Sequence, residues 1–231
     1  EVTPASIGAY TQEEVNGLLQ EKQNIINGLE KQLQSRPNPN LLDNWYFGNP
    51  VNQRGRTEYS EKGYGIDRWK KSANGETVYL EDGCVKIAAT GNGYLMQSIE
   101  NHTEFAGKTV TLSALIKSTT GLAQVLLDDG VTVIRGSALN TGIVFITKTL
   151  DNNLTKLGVE LSAQNGSTVE FIAAKLELGS QQTLAHQDEN GNWVLNEIPD
   201  YGEQLAKCQR YLRPLPYLDL SALTGYISGS G

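Results

Sequence analysis

The stretch Thr109-Val110-Thr111-Leu112-Ser113-Ala114-Leu115-Ile116-Lys117 decides the fold. Val110, Leu112, Ala114 and Ile116 share one parity, and Thr109, Thr111, Ser113 and Leu115 share the other. A period of two places alternate side chains on opposite faces of a strand, so this segment reads as β with one apolar face. Short runs of similar texture surround it at 76–81, 85–90, 94–99, 123–127, 131–136, 142–150, 156–163 and 168–178. In the last of these, Val169, Phe171, Ala173 and Lys175 alternate with Thr168, Glu170, Ile172 and Ala174. The breaks between runs include Asp82-Gly83, Gly91-Asn92-Gly93, Asp129-Gly130 and Asn165-Gly166. Asp-Gly and Asn-Gly supply the positive φ that tight hairpin turns require. No helical segment separates the strands, which argues against a parallel βαβ sheet. The expectation is a mainly β chain, an antiparallel sandwich of eight or nine strands in jelly-roll order over residues 40–180.

N-terminal to the sandwich the periodicity changes from two to three and four. Residues 1–10 read as a linker. Thr11 is placed to cap a helix over 11–36, with Glu13 and Glu14 in its first turn. Val15, Leu18, Leu19, Ile25, Ile26, Leu29 and Leu33 line one face of it. In heptad terms Leu19, Ile26 and Leu33 take position a, Val15, Lys22 and Leu29 position d, and Leu18 and Ile25 position g. This stripe is broader than a dimer seam needs, and it suits a parallel homotrimer or a helix lying on its own domain. Gly17 and Gly28 lower the helix's intrinsic stability, so it needs a partner. Ser35-Arg36-Pro37-Asn38-Pro39-Asn40 ends it. The remainder, 181–231, reads as a hairpin with its tip at Asp188-Glu189-Asn190-Gly191-Asn192-Trp193, a short helix, and a tail leading toward a distal part. Asp200 and Glu203 have capping-box spacing, Leu205, Cys208 and Leu212 form one face, and Pro214 and Pro216 end the helix.

Composition removes several classes of function. Net charge is −7 with scattered Lys and Arg, which excludes the basic footprint of a nucleic-acid binder and argues against anionic lipid. No apolar run is long enough to insert in a membrane. Cys84 and Cys208 make no disulfide framework and read as small apolar core residues. The histidines, His102 and His186, have no metal-ligand spacing to other donors, and no nucleophile elbow or phosphate loop occurs. Asp128, Asp129, Glu160, Glu170 and Glu177 are the carboxylates from which a hydrolytic pair might be drawn, but acidic residues on strands and turns are mostly solvated. The expectation is no enzyme, no catalytic residue, no cofactor and no metal. The sequons at Asn101, Asn153 and Asn165 read as chance matches.

Three stretches resemble a known group of proteins. They are Asn40-Leu41-Leu42-Asp43-Asn44-Trp45-Tyr46-Phe47, followed by Pro50-Val51-Asn52-Gln53-Arg54-Gly55 and Gly65-Ile66-Asp67-Arg68-Trp69; then Lys175-Leu176-Glu177-Leu178-Gly179; then Asp200-Tyr201-Gly202-Glu203-Gln204-Leu205-Ala206-Lys207-Cys208-Gln209-Arg210-Tyr211. In this order they resemble tail-fibre and baseplate receptor-binding proteins of phages and prophages, whose jelly-roll domain is similar to carbohydrate-binding modules. Val2-Thr3-Pro4-Ala5-Ser6-Ile7-Gly8-Ala9 also looks like a tail-fibre linker. The resemblance implies a module of a virion, assembled in the bacterial cytoplasm, that binds host cell-surface glycan. It also implies an Asn-Leu-Leu-containing opening strand. Similar modules often hold structural calcium, for which Asp43, Asn44 and Glu177 are the available oxygens. The other reading is a structural fibre spacer.

Sugars are bound by exposed aromatic faces with polar groups around them. Trp45, Trp69, Tyr46, Tyr59, Tyr64, Tyr79 and Tyr94 are the aromatics concentrated before residue 95. Tyr59, Tyr64, Trp69 and Tyr94 are the candidate ligand-binding residues. The plainer alternative puts the tryptophans in the core.

Overall fold

The computed structural model describes residues 10–34, 38–91 and 93–213. Residues 1–9 of the linker, the Ser35–Pro37 part of the Pro-rich exit, and Pro214 and Pro216 lie outside the described residues. Helix α1 spans Gln12–Gln34. Its start is a reciprocal cap: the Glu14 backbone N–H donates to Thr11 Oγ1 at 3.2 Å, and the Thr11 N–H donates to Glu14 Oε2 at 2.7 Å. Along it Val15, Leu18, Leu19, Ile25, Ile26 and Leu29 are 36–61% exposed in the single chain. Leu33 lies in the same helix, but its side chain is outside what is described.

Among the described residues, twelve strands form two six-stranded antiparallel sheets. The first has the order β1 (Glu58–Tyr59), β4 (Glu76–Glu81), β5 (Cys84–Ala89), β12 (Thr168–Leu178), β7 (Thr109–Thr119), β10 (Gly142–Thr149). The second has β2 (Gly63–Tyr64), β3 (Lys70–Lys71), β6 (Leu95–Ser98), β11 (Gly158–Ala163), β8 (Ala123–Asp128), β9 (Val133–Ala138). From β5 onward the chain passes repeatedly from one sheet to the other, which is the winding of a jelly roll. Leu112, Ala114 and Ile116 from β7 meet Val125, Leu127, Val159 and Leu161 from the opposite sheet in one core. The nine strands read from the sequence are present within a few residues at each end. The additions β1, β2 and β3 are two-residue strands in a Gly- and charge-rich segment that has no legible period.

The Asn-Leu-Leu opening segment departs from the expected strand. It makes one isolated bridge, Tyr46 with Ala173. It runs beside β12 through Leu41 N–H to Leu176 O (2.8 Å), Ala174 N–H to Trp45 O (3.0 Å) and Phe47 N–H to Ile172 O (2.8 Å). Asn40 locks its start: Oδ1 accepts from the Leu42 and Leu176 N–H groups, and Nδ2 donates to Ala174 O.

The alternation read for β12 also fails at one point. The register against β7 pairs Phe171 with Ile116 but Ala173 with Leu115, so a bulge sits at Ile172. One extra residue inverts the side-chain phase beyond it. Lys175 therefore pairs with Ser113 on the outer face instead of sharing the inner face with Phe171. That outer face is covered by the segment after β12, and Lys175 and Glu177 are fully buried there. Lys175 Nζ is 2.9 Å from Glu197 Oε1 and 3.8 Å from Glu177 Oε2. Thr183 donates to Glu177 through its N–H (2.6 Å) and its hydroxyl (2.5 Å).

Strands β13 (Ala185–Gln187) and β14 (Trp193–Leu195) form the separate hairpin expected around Gly191. Helix α2 spans Tyr201–Cys208, and Asp200 Oδ1 accepts from the Glu203 N–H at 2.8 Å. It ends before the prolines, and Cys208 is fully buried. Burial pushes the Cys208 thiol up to about 12 and the Cys84 thiol up to about 11, so both are inert core thiols.

Candidate functional site

The sequence-derived aromatic set is split by the fold. Trp69 is fully buried, packed edge-on against Phe47 with ring centroids 5.4 Å apart. Its indole N–H donates to Asn44 O at 2.9 Å. It is a core residue and offers no face to a ligand. Tyr59 is also buried, and its hydroxyl donates to Asn52 Oδ1 at 2.5 Å. Tyr94 is half-buried, its N–H donating to Ser72 Oγ at 2.9 Å. Tyr64 is exposed.

The candidate carboxylates are largely occupied. Asp129 is fully buried and accepts from the Val131 and Thr132 N–H groups through Oδ1 and from the Asp151 N–H through Oδ2, which also pairs with Lys148 at 2.5 Å. Burial opposes its charge, but these hydrogen bonds prevail and hold the carboxyl well below the usual range. Asp128 pairs with Lys156, and Glu170 lies 3.9 Å from Lys117. Glu160 is half-buried on the outer face of β11. Burial first, then the Asp128 charge, raises its pKa, against Lys156 and Arg135. The three calcium candidates are engaged as well. Asp43 pairs with Arg68 at 2.9 Å, Asn44 bonds Val51 and Asp67 backbone, and Glu177 holds Thr183. Among the described residues no group of three His, Cys, Asp or Glu side chains is arranged to hold a metal.

The pairing of exposed rings with free polar groups occurs elsewhere. Strand β10 is the edge of the first sheet, and Phe145 pairs with Ser113, which puts its ring on the outer face beside the buried Lys175 row. Phe145 is 53% exposed. Lining the same hollow is Trp193, at the start of β14 and 37% exposed. The indole rests over Gly142, whose φ of +112° and lack of Cβ leave room for the ring. Phe145, Trp193, Ala185, His186, Gln181 and Gln187 bound a hollow of about 340 Å³.

The hollow is built by the hairpin. Asp188 Oδ1 accepts from the Asn190 and Asn192 N–H groups, which fixes the turn that delivers Trp193. The same bonds, led by that of Asn192, lower the pKa of Asp188. Asn196 is anchored through Nδ2 to Thr183 O at 2.9 Å, and its Oδ1 bonds His186 Nδ1, which orients the imidazole. Gln182 is consumed structurally: Nε2 donates to Ala185 O, and Oε1 accepts from Leu184 N–H. Gln181, with no side-chain bond among the described residues, and the outer His186 nitrogen remain to meet a ligand. Sequence reasoning passed over Phe145 because both parities of β10 carry apolar residues. Trp193 had a signal: a tryptophan in a polar hairpin, with Gln181, Gln182, Gln187, Asn192 and Asn196 clustered around it.

No family model matches the chain, and no curated protein matches it. Among solved structures it is similar to a family 29 carbohydrate-binding module complexed with cellulohexaose, at 11% identity over 53% of this chain and 90% of that one, TM-score 0.36. It is similar to a CBM4 module at 16% identity over 59% and 99%, TM-score 0.38. It is also similar to the CBM22-1–GH10 modules of Clostridium thermocellum endo-1,4-β-D-xylanase 10B complexed with xylohexaose, at 7% identity over 57% and 30%, TM-score 0.38. Likenesses this low carry no argument of their own, and the sandwich rests on the strand pairing described above.

Proposed function

We propose that the protein is a non-catalytic glycan-binding module whose saccharide lies in the hollow between Phe145 and Trp193. The observation that carries the reading is this pair of exposed rings lining one amide-rich depression. An apolar ring on the outer face of an edge strand is costly in water and gains by covering the C–H face of a sugar, while Gln181 and His186 are placed for hydroxyls. The reading is non-catalytic because none of the five candidate carboxylates lines the hollow, and four of them are held in ion pairs or hydrogen bonds.

The setting we infer is a phage or prophage tail fibre or baseplate, with host cell-surface glycan as the ligand. Its support is the resemblance of the three sequence stretches. The apolar stripe of α1, exposed in the single chain, supports a parallel homotrimer. Three weak sites on one stalk would engage a repetitive surface together, and avidity can exceed single-site affinity by roughly 10²–10⁴. The test is a bacterial-glycan array probed with the full chain and with Trp193→Ala, together with a reducing-end assay on each glycan bound. The account expects retention that Trp193→Ala abolishes, without release of reducing ends. Retention unaffected by the substitution, or turnover, refutes it, and no retention on any glycan favours the spacer reading.

A further inference from the structure

The chain is acidic overall, yet one part of its surface is not. In the second sheet Tyr64 pairs with Lys70, and Lys70 with Met96. The Tyr64 ring stands more than half exposed, with Lys70 Nζ 6.0 Å and Arg54 Cζ 5.8 Å from its centroid. Arg54, Arg56, Tyr59 and Tyr64 bound a hollow of about 400 Å³. A smaller hollow of about 170 Å³ adjoins it, where Arg68 lies 3.6 Å over the Tyr211 ring.

The cations differ in what they already hold. Arg68 is paired with Asp43, and Arg54 lies 3.5 Å from the buried Asp67 and donates to Gly65 O at 3.3 Å. Those two shape the wall. Arg56 and Lys70 are exposed and make no ion pair among the described residues. The carboxylates nearby, Glu58 and Glu61, line an adjoining depression that shares Arg56, Tyr59 and Tyr64 with this hollow, yet neither pairs with Arg56 or Lys70, and Lys62 lines it too. Glu160 is separated from Lys70 by Met96 in the strand register.

We propose that the hollow bounded by Arg54, Arg56 and Tyr64, with Lys70 Nζ 6.0 Å from the Tyr64 ring, is a second ligand site, taking the acid group of an anionic saccharide or polyol, either carboxylate or phosphate. A planar guanidinium donates two parallel hydrogen bonds to either acid, and the exposed ring receives the attached C–H face. This site does not depend on the groove at Trp193.

The test is an NMR titration of the ¹⁵N-labelled full chain with trigalacturonate, with a glycerol-phosphate trimer, and with neutral galactotriose. The account expects one or both acids to move the amides of residues 54–64 while galactotriose does not, and the tighter acid identifies the source. Losing charge-assisted bonds, the double variant Arg56→Gln/Lys70→Gln should weaken that acid by about tenfold or more, and added salt should do likewise. Trp193→Ala should leave it unchanged, which separates this site from the one proposed above. Both exposed positions can be replaced without loss of a bond, so the variant should keep the wild-type melting temperature. Absence of shifts with both acids up to about 10 mM, the weak end of single-site binding, overturns the proposal. So does unchanged affinity in the double variant.

Discussion

Trp193 reaches the hollow beside Phe145 because Gly142 has no side chain. A Cβ built on Gly142 falls 2.5 Å from the indole nitrogen, well inside contact distance. The strand that carries Phe145 thus begins with the residue that seats the other ring.

Gly142→Ala should therefore act twice. It forces an L side chain to φ +112° and pushes the indole outward. The expected result is a loss of about 1 kcal/mol or more of stability in chemical denaturation, with a shift in the emission of Trp193. An unchanged midpoint and spectrum would show that the ring does not rest there.

Glu177→Ala should be among the most damaging substitutions on the sheet. It removes a buried partner of Lys175 and leaves Thr183 with two unmet donors. Breaking a buried pair on one side costs about 3 kcal/mol or more, here moderated by Glu197. Replacing Lys86, whose pair with Glu81 is solvated, should change the denaturation midpoint by nothing measurable.

A pH effect is expected at Glu76. Its carboxyl is buried with no hydrogen-bond partner among the described residues, and burial raises its pKa above the ordinary glutamate range despite the nearby Lys71 charge. The folded state holds this proton more tightly than the unfolded chain does. Its contribution is full below the ordinary glutamate range and is lost as pH rises through the elevated folded value. Glu76→Gln should melt above wild type at neutral pH, with the difference shrinking toward pH 4. A difference that is constant from pH 4 to 8 would contradict this.

Much of the sandwich was legible because strand patterning is local: β4, β7 and β12 can be read from alternation and Asp-Gly turns alone. Two things were not. The bulge at Ile172 is set by pairing with β7, so no local pattern announces that Lys175 changes face. Burial of Trp69 and exposure of Trp193 depend on what packs across from them, which composition does not reveal. Tyr59 and Tyr64 share one Gly- and charge-rich segment, yet Tyr64 is exposed and Tyr59, five residues earlier, is buried, a difference that no local pattern announces.

Ile26→Asp would place a charge in the middle of the α1 stripe without a partner. Light scattering of the wild type should give three times the monomer mass, and Ile26→Asp should lower it. A monomeric wild type at micromolar concentration removes the trimer and, with it, the avidity argument.

The central claim is that saccharide sits against Trp193, and the three tryptophans allow it to be tested in one experiment. Trp45 and Trp69 are buried, so only the Trp193 ring is exposed to a ligand, and its indole signal reports on contact with that ring. The most direct measurement is an NMR titration that follows the three indole signals as the array's strongest neutral glycan is added. The account predicts that the Trp193 signal moves along a saturable curve while the other two stay in place. Saturable binding that leaves the Trp193 signal unmoved would contradict it.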